Sequence, residues 1–105
     1  MKLCLDSIRN EAETWHAAHV ALPKFDIAAV RAQTRATPEW VHFGAGNIFR
    51  GFIGSLNQRL LNEGLAQTGI IACDTFDYEV IDRIYAPFDS LTLNVLLNPD
   101  GTTTR

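Results

Sequence analysis

The sequence has no apolar run longer than a handful of residues, so no segment is long enough to cross a bilayer as a helix. The stretch Met1 to Asn10 is too polar to serve as a secretory signal. Cysteine is scarce. Cys4 and Cys73 match neither a zinc spacing nor a disulfide framework, so both read as reduced thiols. Basic charge is not in excess: nine Lys and Arg stand against 12 Asp and Glu, a net charge of −3, which argues against nucleic acid and anionic membrane as partners. Internal repeats, linkers and low-complexity tracts are missing too. What these absences leave is a soluble, cytoplasmic chain of 105 residues and 47% hydrophobic content, enough for one small core with little surplus stability.

What is present is concentrated in Val41-His42-Phe43-Gly44-Ala45-Gly46-Asn47-Ile48-Phe49-Arg50-Gly51-Phe52-Ile53-Gly54. A short apolar run ends in two glycines one residue apart, and a helical pattern starts at once. That order predicts a strand, a tight turn and a helix N-terminus. Gly44 lets the backbone reverse, and Gly46 lets it approach a ligand where a Cβ would collide. The backbone N–H groups of Asn47, Ile48 and Phe49 then face the same spot, which suits an anion such as a pyrophosphate. A dinucleotide-binding fingerprint also needs a second strand ending in an acidic residue. Gly69 to Cys73 followed by Asp74 supplies it, 23 residues after Gly51. Phe49 departs from the fingerprint, because a small residue is wanted there for close packing of helix on strand; Gly51 and Gly54, a turn later, are the candidates to take over that role. Asp74 is expected to accept hydrogen bonds from the adenosine ribose and to repel a 2′-phosphate, favouring NAD over NADP; the other reading of this carboxylate is a cap for the next turn.

In chain order, Asp6 to about Ala21 predicts a helix with Ile8, Ala12, Trp15 and His19 on one stripe, stopped by Pro23. His16 and His19 lack a third ligand for a metal and read as surface or partly buried histidines. Asp26 caps a second helix, Ile27 to Ala36, with Ile27, Ala29 and Val30 inward and Arg31 and Arg35 outward. Trp40 to Phe43 is the first strand, short and unalternating as if buried on both faces, with His42 a core histidine. The next helix carries Ile48, Phe49, Phe52, Ile53, Leu56, Leu60 and Leu61 on the face that covers the sheet, and Gly64 is its C-cap. Asp77 caps a third helix, Tyr78 to about Tyr85, ended by Pro87. Leu91 to Leu97 is a third strand, Asn98-Pro99-Asp100-Gly101 a turn, and Thr102 to Thr104 the start of a returning strand. The fold expected is α/β: a partial Rossmann-type parallel sheet, the first βαβαβ half, preceded by two N-terminal helices. Residues 1–36 form the helical lead-in and residues 37–105 the NAD-binding half-domain, which looks truncated at Arg105.

These residues resemble the polyol-specific long-chain dehydrogenases, the family of mannitol 2-dehydrogenase, mannitol-1-phosphate 5-dehydrogenase and fructuronate reductase. Leu22-Pro23-Lys24-Phe25-Asp26 is similar to the family's LPxYD lead-in. Gly44-Ala45-Gly46-Asn47-Ile48 and Arg50-Gly51-Phe52-Ile53-Gly54 are similar to a GAGNIGRGFIG signature, with Phe49 in place of a glycine. The match extends to Leu91-Thr92-Leu93 and the Asn98 to Gly101 turn. The mannitol 2-dehydrogenase pattern GxGxFHRAH shares only the glycines and Arg50, so the substrate stays open.

The resemblance implies hydride transfer between a nicotinamide cofactor and a sugar alcohol, a sugar acid or the keto counterpart, without a metal. It also implies a second, helical domain carrying a catalytic lysine. The only lysines here, Lys2 and Lys24, lie upstream of the first strand, and no catalytic residue is identified in this chain. The cofactor-binding set is Gly44, Ala45, Gly46, Asn47, Ile48, Phe49, Arg50 and Asp74. Arg50 either pairs with a phosphate or closes the helix onto its surroundings, while Cys73 and Thr75 line the adenosine side without chemistry. Two expectations remain: the cofactor-binding part of a polyol or uronate dehydrogenase, incomplete for catalysis by itself, or a stand-alone nucleotide-binding module or gene remnant without turnover. With half a sheet and uncovered helix, the isolated chain is expected to self-associate or to be partly molten.

Overall fold

The computed structural model describes residues 2–75 and 77–104. The chain divides into two compact units, Pro23–Ile81 on the one hand and Met1–Leu22 with Asp82–Arg105 on the other.

The unit Pro23–Ile81 is built on a parallel pair of strands. It contains helix α3 (Ile27–Ala36), strand β1 (Val41–Phe43), a π-helical turn (Phe49–Ile53) running into helix α4 (Gly54–Asn62), strand β2 (Ile71–Cys73) and the short helix α5 (Tyr78–Val80). β1 and β2 pair in parallel, with Val41 opposite Ile71, His42 opposite Ala72 and Phe43 opposite Cys73. A rung at each end extends the ladder: Ile71 N–H donates to the Trp40 carbonyl (3.0 Å) and Gly44 N–H to the Cys73 carbonyl (2.6 Å).

Helix α3 starts where its cap predicts. Asp26 accepts from the Ala29 N–H (3.1 Å), a bond of the kind that stabilises a helix by about 1 kcal/mol. Its inward face differs from the expectation, since Ala29 is exposed and Thr34 is buried. The Thr34 hydroxyl donates to the Val30 carbonyl (2.6 Å) and accepts from the Gly69 N–H (2.8 Å), which ties the helix to the lead-in of β2.

The helix after the glycine turn carries two stripes that differ in burial. Phe49, Ile53, Asn57 and Leu61 form the half-buried to buried stripe. Ile48, Phe52, Leu56 and Leu60, expected to cover the sheet, stay exposed instead, Ile48 at 77% and Phe52 at 61%. β1 is likewise open rather than buried on both faces, with Phe43 74% exposed. α4 ends in a Schellman motif with Gly64 in the left-handed region (φ 73°): Leu65 N–H reaches the Leu60 carbonyl (2.9 Å) and Gly64 N–H the Leu61 carbonyl (3.2 Å).

In the other unit the single N-terminal helix of the sequence reading is two: α1 (Leu5–Asn10) and α2 (Ala12–Ala17). Glu11 leaves helical geometry (φ −123°, ψ 32°), and the buried Trp15 indole N–H donates to the Ser7 hydroxyl (3.0 Å) across the break. The stop comes before Pro23. His19 takes the left-handed conformation (φ 61°), Val20 N–H bonds the Trp15 carbonyl (3.1 Å) and His19 N–H the His16 carbonyl (2.9 Å), again a Schellman cap. Trp15 and Val20, the flanking apolar pair of that motif, are both buried. The N-terminal end of α1 is capped from far along the chain, Leu5 N–H donating to Asp89 Oδ2 (2.9 Å).

The third helix also departs from expectation. After α5 the backbone widens to a π-helical segment, Ile81–Tyr85, and tightens to a 3₁₀ turn, Ala86–Phe88, that contains Pro87. Asp77 makes no side-chain cap bond. The expected third parallel strand does not join the sheet. Only Leu96–Leu97 (β3) is extended in a ladder, and it pairs antiparallel with Thr103–Thr104 (β4) across the Asn98 to Gly101 turn. That turn is set by Asp100, whose Oδ1 accepts from the Thr102 N–H (2.9 Å) and hydroxyl (2.7 Å).

Two outcomes follow. The Thr102 bonds hold the Asp100 carboxyl below its usual range, so they persist above the ordinary carboxylate range and are lost only as the pH falls through that lowered value. The Thr102 amide proton should track that titration in NMR. Because no large side chain is fully buried, one helix stripe is exposed and β1 and β2 pair with no third strand among the described residues, the chain should elute in sizing above its 11.7 kDa monomer mass. A monomer that melts sharply would contradict this.

Candidate functional site

The C-terminal ends of β1 and β2 lie side by side, and the residues singled out in the sequence meet there. Gly44 has φ 114°, a conformation that side chains rarely adopt, and it directs the chain out of the sheet immediately after its N–H has closed the last rung with Cys73. Ala45 is fully buried beneath the turn. Gly46 is exposed, and a Cβ built on it meets nothing within 4 Å. Its carbonyl accepts from the Arg50 N–H (3.0 Å), the first rung of the helix, so the N–H groups of Asn47, Ile48 and Phe49 precede any intrahelical partner. Gly46 therefore leaves a space next to a row of backbone donors.

A cleft of about 490 Å³ opens at this point, lined by His42, Gly44, Gly46, Asn47, Ile48, Phe49 and Ile53. His42 and Ile53 are the members that the sequence reading missed. His42 is half-buried, its Nδ1 is 3.0 Å from the Gly44 carbonyl oxygen, and its ring lies 4.9 Å from the Phe49 ring at 34°. Since a carbonyl can only accept, Nδ1 is the donor of this bond. Its signal was available in the strand alternation, because His42 must point opposite to Val41 and Phe43. Phe49, at the position where a glycine was wanted, is accommodated by packing on His42 and by starting the wider π-helical turn. Gly51 does not take over a packing role, being exposed with open space around it, whereas a Cβ on Gly54 would come within 3.3 Å of the Phe49 carbonyl oxygen.

Arg50 folds back onto the turn. Its Nη1 donates to the Ala45 carbonyl (2.8 Å) and its Nη2 to Asn47 Oδ1. Asp74 directly follows the Cys73 that bonds Gly44, and its Oδ1 accepts from the Asp77 N–H (2.8 Å), the turn-capping arrangement. Cys73 and Cys4 are free thiols, and among the described residues no three His, Cys, Asp or Glu side chains gather as a metal site. No helix among them is long and apolar enough to cross a membrane.

Parallel strands joined through a glycine turn and a helix, with an acidic residue closing the second strand, define a partial Rossmann-like α/β fragment. The chain is 46% identical over 101 residues to D-mannonate oxidoreductase of Thermotoga maritima, a match that takes in 96% of this chain and 19% of that protein. The matched region is the relative's N-terminal part, and the resemblance to the polyol and uronate dehydrogenases of the mannitol dehydrogenase family stands on it. No protein-family model matches the chain, and no solved structure does.

The backbone at the turn separates its two glycines. Gly44→Ala should lower the thermal midpoint, at a cost of about 1–2 kcal/mol for a side chain forced into the left-handed region, whereas Gly46→Ala should leave it unchanged. Circular dichroism melts of the two variants make the comparison.

Proposed function

We propose that this chain is the NAD-binding N-terminal portion of an oxidoreductase that acts on a CH–OH group of a sugar alcohol or sugar acid, incomplete for catalysis by itself. The observation that carries the reading is the open space at Gly46, set beside the first N–H groups of a helix at the C-terminal ends of two parallel strands. In this reading Gly44, Ala45 and Gly46 shape the cradle for the pyrophosphate. The N–H groups of Asn47, Ile48 and Phe49 donate to it, Arg50 adds positive charge, and Asp74 accepts from the adenosine ribose. NAD, when bound, supplies the hydride acceptor. The name of the relative, D-mannonate oxidoreductase, supports a sugar acid or its keto form as substrate. Incompleteness is supported by the placing of the lysines, Lys2 and Lys24, both ahead of β1, and by the 19% of the relative that the chain spans. Two free thiols suit a cytoplasmic setting.

Fluorescence titration with NADH tests the site. Gly46→Val should weaken binding at least about tenfold with no loss of secondary structure, since the added side chain has room in the protein and none beside a ligand. Unaltered affinity would move the site elsewhere. Asp74→Asn keeps an acceptor for the Asp77 N–H and removes the charge, so affinity for NADPH should rise relative to NADH. The intact mass of the protein from its own source tests the rest. A mass several times 11.7 kDa fits the dehydrogenase reading, and 11.7 kDa itself fits a nucleotide-binding module without turnover.

A further inference from the structure

The two hydrogen bonds of Arg50 onto the glycine turn assign that residue a task different from ion pairing with a phosphate. The acceptors of these two bonds are oxygens of the turn that frames the proposed anion site: the Ala45 carbonyl, 2.8 Å from Nη1, and Asn47 Oδ1, held by Nη2. Unheld, Asn47 Oδ1 on the cleft lining could turn toward an incoming phosphate and present partial negative charge to it. A guanidinium has only donors, so its bond to Asn47 also settles which way the side-chain amide is turned. Oδ1 must be the atom facing Arg50, and Nδ2 lies on the other arm of the planar group. Asn47 is exposed, lines the cleft, and its Nδ2 has no acceptor among the described residues.

Resting on the dinucleotide reading above, we propose that Arg50 is a positioning residue: its fork takes up the Ala45 and Asn47 oxygens, and the Asn47 amide N–H₂ that this leaves outward is the side-chain donor that contacts the cofactor pyrophosphate. Fork geometry is essential to this task. A lysine ammonium carries the same charge on a single point and cannot hold two oxygens of the turn in one plane.

The experiment is an NADH titration of the full chain and its Asn47→Ala, Arg50→Lys, Arg50→Ala and Asn47→Ala/Arg50→Ala variants, each checked for secondary structure by circular dichroism. Asn47→Ala should weaken NADH binding about five- to tenfold, the loss of one charge-assisted hydrogen bond. Arg50→Lys should lose nearly as much as Arg50→Ala despite retaining the charge, and the double variant should be no more than about twofold weaker than the worse single, because the two residues act as one unit. Losses that multiply in the double variant, or near-complete retention of binding in Arg50→Lys, would show Arg50 acting on the phosphate directly and would overturn the assignment. Unchanged binding in Asn47→Ala would overturn it too. If the parent chain binds no NADH, the dinucleotide reading itself falls and this inference with it; if the parent binds and only the pattern among variants fails, the reading survives without it.

Discussion

The structure depends on what happens at Gly44. Its N–H makes the last rung of the parallel ladder, its φ of 114° turns the chain out of the sheet, and its carbonyl holds the His42 ring through Nδ1. Three constraints on one residue without a Cβ fix where β1 ends, where the cleft begins and how the helix is aimed. Downstream of this point the free N–H groups of the first helical turn and the open flank of Gly46 have their positions set. Upstream, the same rung sets Cys73 against Phe43 and brings Asp74 to the same end of the sheet.

Around this junction the local chemistry is self-supporting. Arg50 bonds back to the residues that it follows, Asp74 fixes the start of the next segment through the Asp77 N–H, and Thr34 secures the approach to β2 with both halves of its hydroxyl. Each is a polar bond that saves a backbone or side-chain group from being left unpaired. The apolar contribution is meagre by comparison. Ala45 and Leu61 are the buried apolar residues of this unit among those described, so specificity of shape comes from turns and caps more than from a large core.

Much of this was legible in the sequence because it is local. The Asp26 cap, the Gly64 terminator, the Asn98 to Gly101 turn and the glycine turn each depend on residues a few positions apart, and each stands where its pattern put it. The misses share a different cause. The break at Glu11 interrupts a stripe that is continuous in sequence, and it is held by the Trp15 to Ser7 bond, which no periodicity reveals. Thr34 is inward because of a partner 35 residues away. Leu91 to Leu97 has the alternation of a strand, yet a sheet partner must be within reach for alternation to become a ladder, and the partner found is the local one, Thr103–Thr104. Of the proposed binding set, the turn and its helix could be located from sequence and His42 from the alternation of side chains along β1, whereas the inward fold of Arg50 needed coordinates.

The π-helical turn at Phe49–Ile53 has a consequence for how the two ends of one helix communicate. Such a turn is an α-helix carrying one residue more than its ladder requires. Were the same residues wound as a regular α-helix, everything from Gly54 onward would be rotated by roughly 100°, about one residue's turn, relative to the glycine turn. Asn57 and Leu61 would swing out of their buried positions. The inserted residue therefore acts as a phase setting: it lets the N-terminal end of the helix be aimed by the needs of the cleft while the C-terminal end is aimed by the needs of the core, two orientations that a single uninterrupted spiral could not satisfy together.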